Sequence, residues 1–444
     1  MEAYFKEINA KHRIRDPLYG FIHLTNAERE IVDTPLFQRL RRVHQLALTK
    51  YVYPSAEHSR FVHSLGVMHC ATLILAGVMD HKRTKIDTRP STQLVKTLRF
   101  AALLHDIGHL PFSHAVEKNW LQGLRHEDLS KYIIENYEPI YDIIDKEDVS
   151  PSSVALLLAK EPPAKYKLVH EIVSGQLDAD RADYLLRDSH SCGVKYGEYD
   201  FSRYLQIFAA VESGDSGHLS LCIDENDLHV AESLLIARYH YNLQVPFHRT
   251  RSGYDLALRR FMKDFSEYTK PFIVENNQLI KVDFDSLVDL DDYTIMERAK
   301  KEIKGKNKWA PYLLRNSHMI PIIDTSTNSE KGQRLFKTLV GELEKSDSFT
   351  LEEDYFFQEE EVKIIKSVRS DEIPIGENGI HDPQFSVMLM SSEGKGRQTE
   401  FVDISERSWI FKQLTTKEPP KVLRVYVTPD KEDDVRSLLS KLES

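Results

Sequence analysis

Apolar side chains recur every three or four residues through most of the first 270 positions, which is the period of an amphipathic helix. The entry segment over 12–25 contains a Pro and a Gly among strand formers and predicts a short extended or hairpin structure. Period-two alternation on both sides of a GDSG turn predicts one hairpin over 207–223. Thr34 and Pro35 have the residue types of a helix cap and a first helical position. Helices are predicted at 26–33, 34–46, 58–81, 91–106, 126–137, 151–160, 165–176, 179–188, 200–206, 226–243 and 252–269.

The pattern changes after residue 270. Periodicity is weak over 270–350, and segments at 385–391, 399–403 and 421–427 predict strands separated by turn residues. The closing EDDVRSLLSKLE predicts an amphipathic helix. We therefore predict a mainly α fold, with a helical domain over residues 1–270 and a smaller α+β lobe over 271–444.

Composition narrows the class of protein. The 444 residues are 41% hydrophobic with a net charge of −10, which is typical of a soluble globular protein and disfavours nonspecific nucleic-acid binding. Three separated cysteines without a CxxC pair favour a reducing, cytoplasmic setting. The first residues lack the apolar core of a signal peptide, and we expect no apolar run of the roughly 20 residues that span a bilayer.

Candidate chemistry concentrates in LLHDIGHLPFSH, over 103–114, which follows an apolar helix. A single buried His is more often a core residue than a ligand, but a buried His-Asp pair is costly unless it is paired or metal-bound. HSRFVHSLGV and DADRADYLLRD add an imidazole and further carboxylates. This mixed nitrogen and oxygen set suits Mn, Mg, Fe, Zn or Ni rather than an ion that prefers thiolates.

The three motifs, in this order, resemble those of the HD-domain metal-dependent phosphohydrolases, and more narrowly the deoxynucleoside triphosphate (dNTP) triphosphohydrolases, over roughly residues 12–260. The resemblance implies an HD-type helical core and hydrolysis of a dNTP to deoxynucleoside and inorganic tripolyphosphate. The divalent metal ligands that it implies are His63, His105, Asp106 and Asp180. The implied catalytic residues are His109, Glu117 and His126. The implied substrate-binding residues are Gln45, Arg60, His114, Arg181, Tyr184, Asp188 and Arg238.

The resemblance also bears on regulation and base preference, and two residues differ from the family at the positions concerned. IVDTPLFQRLRR is similar to a segment that binds an activating guanine nucleotide, which implies a GTP or dGTP site at Asp33, Gln38 and Arg41. Arg15 stands where that site has an Asn, and Pro246 stands where mammalian members carry a base-stacking Tyr. Members of this kind assemble as homotetramers or larger oligomers, which implies a homo-oligomer here.

Two other functions remain open from the sequence. One is an HD phosphohydrolase that acts on a cyclic nucleotide, a monophosphate or an alarmone. Gln45, Tyr184 and Asp188, which the resemblance implies contact the deoxyribose, argue against it. The other is a non-catalytic nucleotide sensor, against which the complete ligand set argues.

Overall fold

The structure is a computed structural model that describes residues 8–82, 84, 90–113, 117–159, 162–213, 218–362, 388–391, 400–416 and 421–443. A hairpin of β1 (His12–Asp16) and β2 (Gly20–Leu24) opens the chain. Helices follow at α1 (Asn26–Val32), α2 (Pro35–Arg39), α3 (Arg60–Asp80), α4 (Thr92–Leu104), α5 (Glu117–Trp120), α6 (His126–Asn136), α7 (Glu138–Asp145), α8 (Pro151–Leu156), α9 (Lys167–Ser174), α10 (Ala179–Cys192), α11 (Phe201–Tyr204), α12 (Leu228–Gln244) and α13 (Arg249–Lys263). Short 3-10 turns lie at Leu40–Arg42, Ala47–Tyr51, Ala164–Tyr166, Glu225–Asp227, Ser266–Thr269 and Pro429–Lys431.

The C-terminal part alternates helices with short strands. Its helices are α14 (Phe284–Val288), α15 (Asp292–Lys304), α16 (Ala310–Leu313), α17 (Glu330–Lys345), α18 (Ile404–Arg407), α19 (Trp409–Thr416) and α20 (Glu432–Glu443). The strands of the whole chain continue as β3 (Phe208–Ser213), β4 (His218–Asp224), β5 (Phe272–Glu275), β6 (Gln278–Val282), β7 (Ile320–Ser326), β8 (Tyr355–Glu361), β9 (Met388–Ser391), β10 (Glu400–Asp403) and β11 (Lys421–Val427). The mainly α fold with a smaller α+β lobe is therefore confirmed.

The sheets connect the two parts of the chain. The β3–β4 hairpin extends through a parallel pairing of β4 with β9, which gives the order β10-β9-β4-β3. A separate antiparallel sheet has the order β7-β11-β8 and packs its own small core, which includes Ile323, Leu339 and Val425, against α17 and α20. The large core runs through the helical part and also takes in Leu287 and Ile295 from beyond residue 270.

Helix α3 lies at the centre of the large core and packs against α4 and α10. Among the described residues it is the helix with the length and hydropathy of a membrane span, with a mean hydropathy of 1.7 over its most apolar window. By these two criteria the expectation that no such run exists is wrong. However, 89% of that window is buried inside the protein, as in the core helix of a soluble fold.

The helix predicted over 34–46 is shorter than its sequence pattern. Thr34 is the N-cap residue and Pro35 the first helical residue, but the helix ends at Arg39 and a 3-10 turn ends at Arg42. Val43 is extended, its carbonyl accepts a hydrogen bond from Arg60 N at 3.0 Å, and His44 forms a bridge with Ser59. These tertiary backbone bonds outweigh the local helical pattern.

Other boundaries differ by a few residues. Helix α8 ends at Leu156 instead of residue 160, and α13 begins at Arg249 and ends at Lys263 instead of spanning 252–269. Helix α10 continues beyond the predicted residue 188 to Cys192, where Gly193 ends it with a φ of 70°. Glycine adopts this left-handed conformation without a steric penalty and is the usual helix terminator.

Candidate metal centre and active site

Three helices bring the predicted metal ligands together. His63 lies in the first turn of α3, the His105-Asp106 pair follows the end of α4, and Asp180 lies in the first turn of α10. His63 Nε2 is 3.1 Å from Asp180 Oδ1 and 3.8 Å from Asp106 Oδ2. His105 Nε2 is 3.2 Å from Asp106 Oδ1 and 3.9 Å from Asp180 Oδ1. The four side chains therefore direct ligand atoms at one small volume.

Hydrogen bonds fix which nitrogen of each imidazole faces this volume. His63 Nδ1 donates to Asp183 Oδ2 at 2.8 Å, and His105 Nδ1 donates to the Ala102 carbonyl at 2.8 Å. Each Nε2 is then the unprotonated nitrogen in a neutral ring, which is the form that binds a metal. Among the described residues, none is a hydrogen-bond partner of the buried His105 Nε2. The residues present therefore fit a divalent cation.

The electrostatics of the cluster favour a cation. Burial lowers the pKa of the His63 imidazole, but the hydrogen bonds to Asp180 and Asp183 outweigh burial and raise the pKa to about 10. Burial raises the pKa of Asp106, but the charges of His105 and Arg60 hold that pKa well below its usual range. A proton on His63 Nε2 and a metal ion therefore compete for the same position beside these carboxylates.

Asp183 lies behind His63 and holds it. Besides His63 Nδ1, its carboxylate accepts hydrogen bonds from Arg187 Nε and Nη2, both at 2.8 Å, and from the Tyr19 hydroxyl at 2.9 Å. Gly66 makes room for this contact, because a Cβ at that position would lie 1.9 Å from Asp183 Oδ1. These contacts make Asp183 the support of His63.

The acid–histidine pair that the resemblance implied is in contact. His126 Nδ1 lies 3.1 Å from Glu117 Oε2, and the His126 backbone N–H donates to Glu117 Oε1 at 3.0 Å. The His126 ring stacks on the His109 ring, with centroids 3.7 Å apart. Burial lowers the pKa of His126, but the Glu117 hydrogen bond reverses this and leaves the pKa raised, whereas burial and the Arg60 charge lower the pKa of His109. His126 thus keeps its proton to higher pH than His109.

Guanidinium groups surround the cluster. Arg60 donates to Asp106 and, through Nε at 2.9 Å, to Ser113 Oγ, while Arg181 is paired with Asp178. Arg238 is different, since its Nε and Nη1 are buried without a hydrogen-bond partner in the part of the chain that the structure describes. Burial lowers the pKa of the Arg238 guanidinium.

The residues implied for the sugar are linked by groups that the sequence did not single out. Asp188 Oδ1 accepts from His58 Nε2 at 2.7 Å, and the Tyr241 hydroxyl donates to Asp188 Oδ2. The Gln45 backbone N–H donates to the His58 carbonyl at 3.0 Å. Tyr184 packs against Tyr241, with ring centroids 5.7 Å apart. The sequence could have indicated Tyr241 as a site residue, because it lies three residues after Arg238 on the same predicted helix and therefore on the same helix face.

The remaining predicted residues lie elsewhere. Arg41 Nε donates to Gln38 Oε1 at 2.8 Å, and the Arg41 guanidinium lies 3.6 Å from the centre of the Phe61 ring. Asp33 is exposed, with its carboxylate 3.8 Å from Arg29 Nε. His114 falls outside the described residues.

Comparison with known proteins places the cluster of predicted metal ligands within a known domain family. The family model of the HD domain matches residues 60–188, which run from Arg60 on α3 to Asp188 on α10. The chain therefore contains an HD domain over these residues. HD domains bind divalent metal ions, and the His63, His105 and Asp106 cluster of this HD domain is able to hold one.

Individual proteins resemble the chain over different shares of its length. The chain is 34% identical over 250 residues to the uncharacterized protein YwfO of Bacillus subtilis, covering 56% of this chain and 54% of that protein. It is 27% identical over 368 residues to the deoxynucleoside triphosphate triphosphohydrolase SAMHD1 homolog of Dictyostelium discoideum, covering 78% and 66%. The crystal structure of a hypothetical protein from Aquifex aeolicus matches with a TM-score of 0.73 at 28% identity, covering 96% of this chain and 99% of that one. The chain spans about half the length of the first curated relatives that it matches.

Proposed function

We propose that this HD domain hydrolyses dNTPs to deoxynucleoside and inorganic tripolyphosphate with a divalent metal ion. One observation carries the proposal: the buried Nε and Nη1 of Arg238 have no hydrogen-bond partner among the described residues, and its guanidinium interacts electrostatically with Tyr184, Arg181 and Asp180. A buried cation without a hydrogen-bonded partner is costly, so this position favours an anionic ligand such as a polyphosphate. The likeness to the Dictyostelium triphosphohydrolase supports the same substrate class.

The proposed roles follow from the contacts. When bound, a divalent ion supplies a Lewis acid for phosphoester hydrolysis. Water attacks the α-phosphorus, and the bond between phosphorus and the 5′ oxygen breaks. His126, oriented by Glu117, gives its proton to the departing 5′ oxygen, which is the work of a positioned general acid. His109 contacts the phosphates beside it.

The other residues bind the substrate. Arg60, Arg181, Arg238 and His114 neutralise the triphosphate, and such preorganised charges act most strongly on the transition state. Gln45, Tyr184 and Asp188 surround the deoxyribose, with the Asp188 carboxylate held in place by His58 and Tyr241.

An activity matrix tests the proposal. Each dNTP is incubated with Mn, Mg, Fe, Zn or Ni ions, with and without GTP or dGTP, and the products are separated. We expect tripolyphosphate from wild type and from His190→Ala, which changes an exposed histidine on α10. We expect none from His105→Ala or Asp106→Ala. Absence of tripolyphosphate in every condition would contradict the proposal, and faster turnover of monophosphates or cyclic nucleotides would reassign the substrate.

We also propose a nucleotide activator site at Asp33, Gln38 and Arg41, placed between subunits of a homo-oligomer such as a tetramer. The hydrogen bond between Gln38 and Arg41 supports this site, since it presents an exposed guanidinium next to α3. Activator binding and assembly are then coupled by linkage. Sedimentation with and without dGTP tests the coupling, and an identical mass in both would reject it.

A further inference from the structure

The loop that follows the metal-binding His-Asp pair is tied to residues far along the chain. The Arg39 side chain is fully buried, and its Nη2 donates to the carbonyls of Ile107 at 3.0 Å and His109 at 2.7 Å. Its Nη1 donates to the Leu290 carbonyl at 3.0 Å, just before α15. One guanidinium thus joins the start of this loop to the segment beyond residue 270.

Asp292, the first residue of α15, makes the second tie. It is 1% exposed, and its Oδ1 accepts a hydrogen bond from Phe112 N at 2.7 Å. Its Oδ2 accepts from His44 N at 2.9 Å and faces His44 Nδ1 at 2.7 Å. A buried carboxylate with three donors is a fixed anchor, because losing any partner leaves charge unsatisfied in the interior.

The backbone that Asp292 anchors is strained. Phe112 and Ser113 have φ angles of 54° and 56°, so two consecutive side-chain-bearing residues adopt the left-handed conformation. This conformation is disfavoured for residues that carry a Cβ, and such residues persist only where their surroundings hold them.

The left-handed conformation positions the Ser113 hydroxyl, which contacts an arginine of the candidate active site. Ser113 Oγ accepts the hydrogen bond from Arg60 Nε at 2.9 Å, and the other end of the same guanidinium contacts the metal ligand Asp106. A relaxed loop would withdraw Ser113 and free Arg60 to swing away.

We propose that Asp292 is a positioning residue of the active site. It holds Phe112 and Ser113 in the left-handed conformation so that Ser113 directs Arg60 at Asp106 and at the substrate phosphates. The segment beyond residue 270 therefore completes the catalytic loop of the HD domain. The kinetic part of this inference rests on the proposed hydrolytic function, whereas the anchoring of the loop does not.

A matched set of variants tests the role. Asp292→Ala removes the anchor, and Asp292→Asn keeps an amide oxygen that can accept from Phe112 N. Asp291→Asn is the control, because Asp291 caps the same helix through Thr294 N at 3.0 Å and pairs with Arg42. Among the described residues, none of its hydrogen bonds or ion pairs reaches the 107–113 loop.

Two readouts separate the possible failures. Hydrogen exchange of the peptide over 107–113 should be faster in Asp292→Ala than in wild type and unchanged in Asp291→Asn. Turnover should fall about 10- to 100-fold in Asp292→Ala, the effect of a misplacement near 1 Å. It should be partly rescued in Asp292→Asn, which keeps the acceptor for Phe112 N and loses the acceptor for His44 N. Turnover is measured on dNTPs or, if none is cleaved, on bis(para-nitrophenyl) phosphate.

The outcomes are distinct. Inactivity of wild type on every dNTP rejects the proposed function and leaves the exchange and diester readouts to decide the role of Asp292. Unchanged exchange in Asp292→Ala rejects the anchor. Faster exchange with wild-type turnover, or an equal loss of turnover in Asp291→Asn, rejects the positioning role. If Asp292→Ala does not fold, Asp292→Asn, whose amide nitrogen would face His44 N, must still show faster exchange and lower turnover than Asp291→Asn.

Discussion

At the scale of single residues, the chemistry of the centre depends on which atom of each side chain already forms a hydrogen bond within the protein. Asp183 takes the Nδ1 proton of His63 and is itself held by Arg187 and Tyr19. Burial raises the pKa of Asp183, but Arg187 and His63 lower it to about 2, so it stays ionised and acts as a fixed acceptor. Residues that hold a metal ligand in this way commonly change the metal affinity about 10- to 100-fold when they are mutated.

The first prediction concerns this support. Asp183→Asn should weaken Mn²⁺ binding about 10- to 100-fold, because the amide cannot accept from all four donors and His63 loses its fixed orientation. Titration calorimetry with Mn²⁺ measures the change. Asp16→Asn is the control. Asp16 Oδ2 accepts a hydrogen bond from Arg187 Nη1 at 2.9 Å, as Asp183 accepts from the same guanidinium, but Asp16 does not support His63. Equal affinities of Asp183→Asn and wild type would show that Asp183 does not orient the ligand.

The second prediction concerns pH. A general acid must be protonated, so activity falls as pH rises through its pKa. Glu117→Gln removes the largest cause that raises the pKa of His126, so the alkaline limb of kcat/KM against pH should move to lower pH. Glu127→Gln, which changes a carboxylate 3.3 Å from His126 Nδ1, should move the limb less. An alkaline limb that stays in place in Glu117→Gln would remove His126 from the acid role.

The sequence pointed to the side chains that converge in the candidate centre, but not to all the residues that support them. His63, His105, Asp106 and Asp180 lie in motifs whose residue types and order carry the prediction, and the structure brings their ligand atoms together. Asp292 has no such signal, because its contact with Phe112 spans 180 positions and depends on tertiary packing alone.

At the scale of elements, glycines decide how closely α3 approaches the segments packed against it, α10 among them. Gly66 allows the Asp183 carboxylate to lie against the backbone of α3, and Gly77 does the same for the Leu205 carbonyl. Helix positions were predictable from the apolar period. The early end of α2 was not, since Val43 and His44 form backbone contacts with residues 59–60 that no local pattern encodes.

The third prediction uses this close contact. Gly66→Ala should lower both the free energy of unfolding and the Mn²⁺ affinity, because the new methyl group collides with Asp183 and with Arg187 Nη2 at 2.5 Å. Gly341→Ala on α17, where the added Cβ meets nothing within 4 Å, should instead stabilise the protein by about 0.5–1 kcal/mol. Chemical denaturation and Mn²⁺ titration test both. Wild-type Mn²⁺ affinity in Gly66→Ala would show that the two helices can separate without loss of the site.

At the scale of the whole molecule, the metal centre joins segments that lie far apart in sequence. Its ligands come from α3, from the end of α4 and from α10, all in the large core, while Arg39 and Asp292 tie the same region to α15. An ion that binds only the folded chain therefore stabilises the entire large core.

The fourth prediction follows. At an ion concentration 100 times the dissociation constant, the folded state should gain about 2.7 kcal/mol. Scanning calorimetry should therefore show a higher unfolding temperature with Mn²⁺ than with a chelator. The difference should persist in His190→Ala and vanish in His105→Ala. An equal difference in His105→Ala would place the ion elsewhere.

Oxygen labelling tests the central claim most directly. The metal-loaded protein hydrolyses a dNTP in water enriched in ¹⁸O, and mass spectrometry follows the label. Attack on the α-phosphorus with departure of the 5′ oxygen predicts one ¹⁸O in tripolyphosphate and none in the deoxynucleoside. Label in a deoxynucleoside monophosphate, in orthophosphate or in the deoxynucleoside would contradict the proposed reaction.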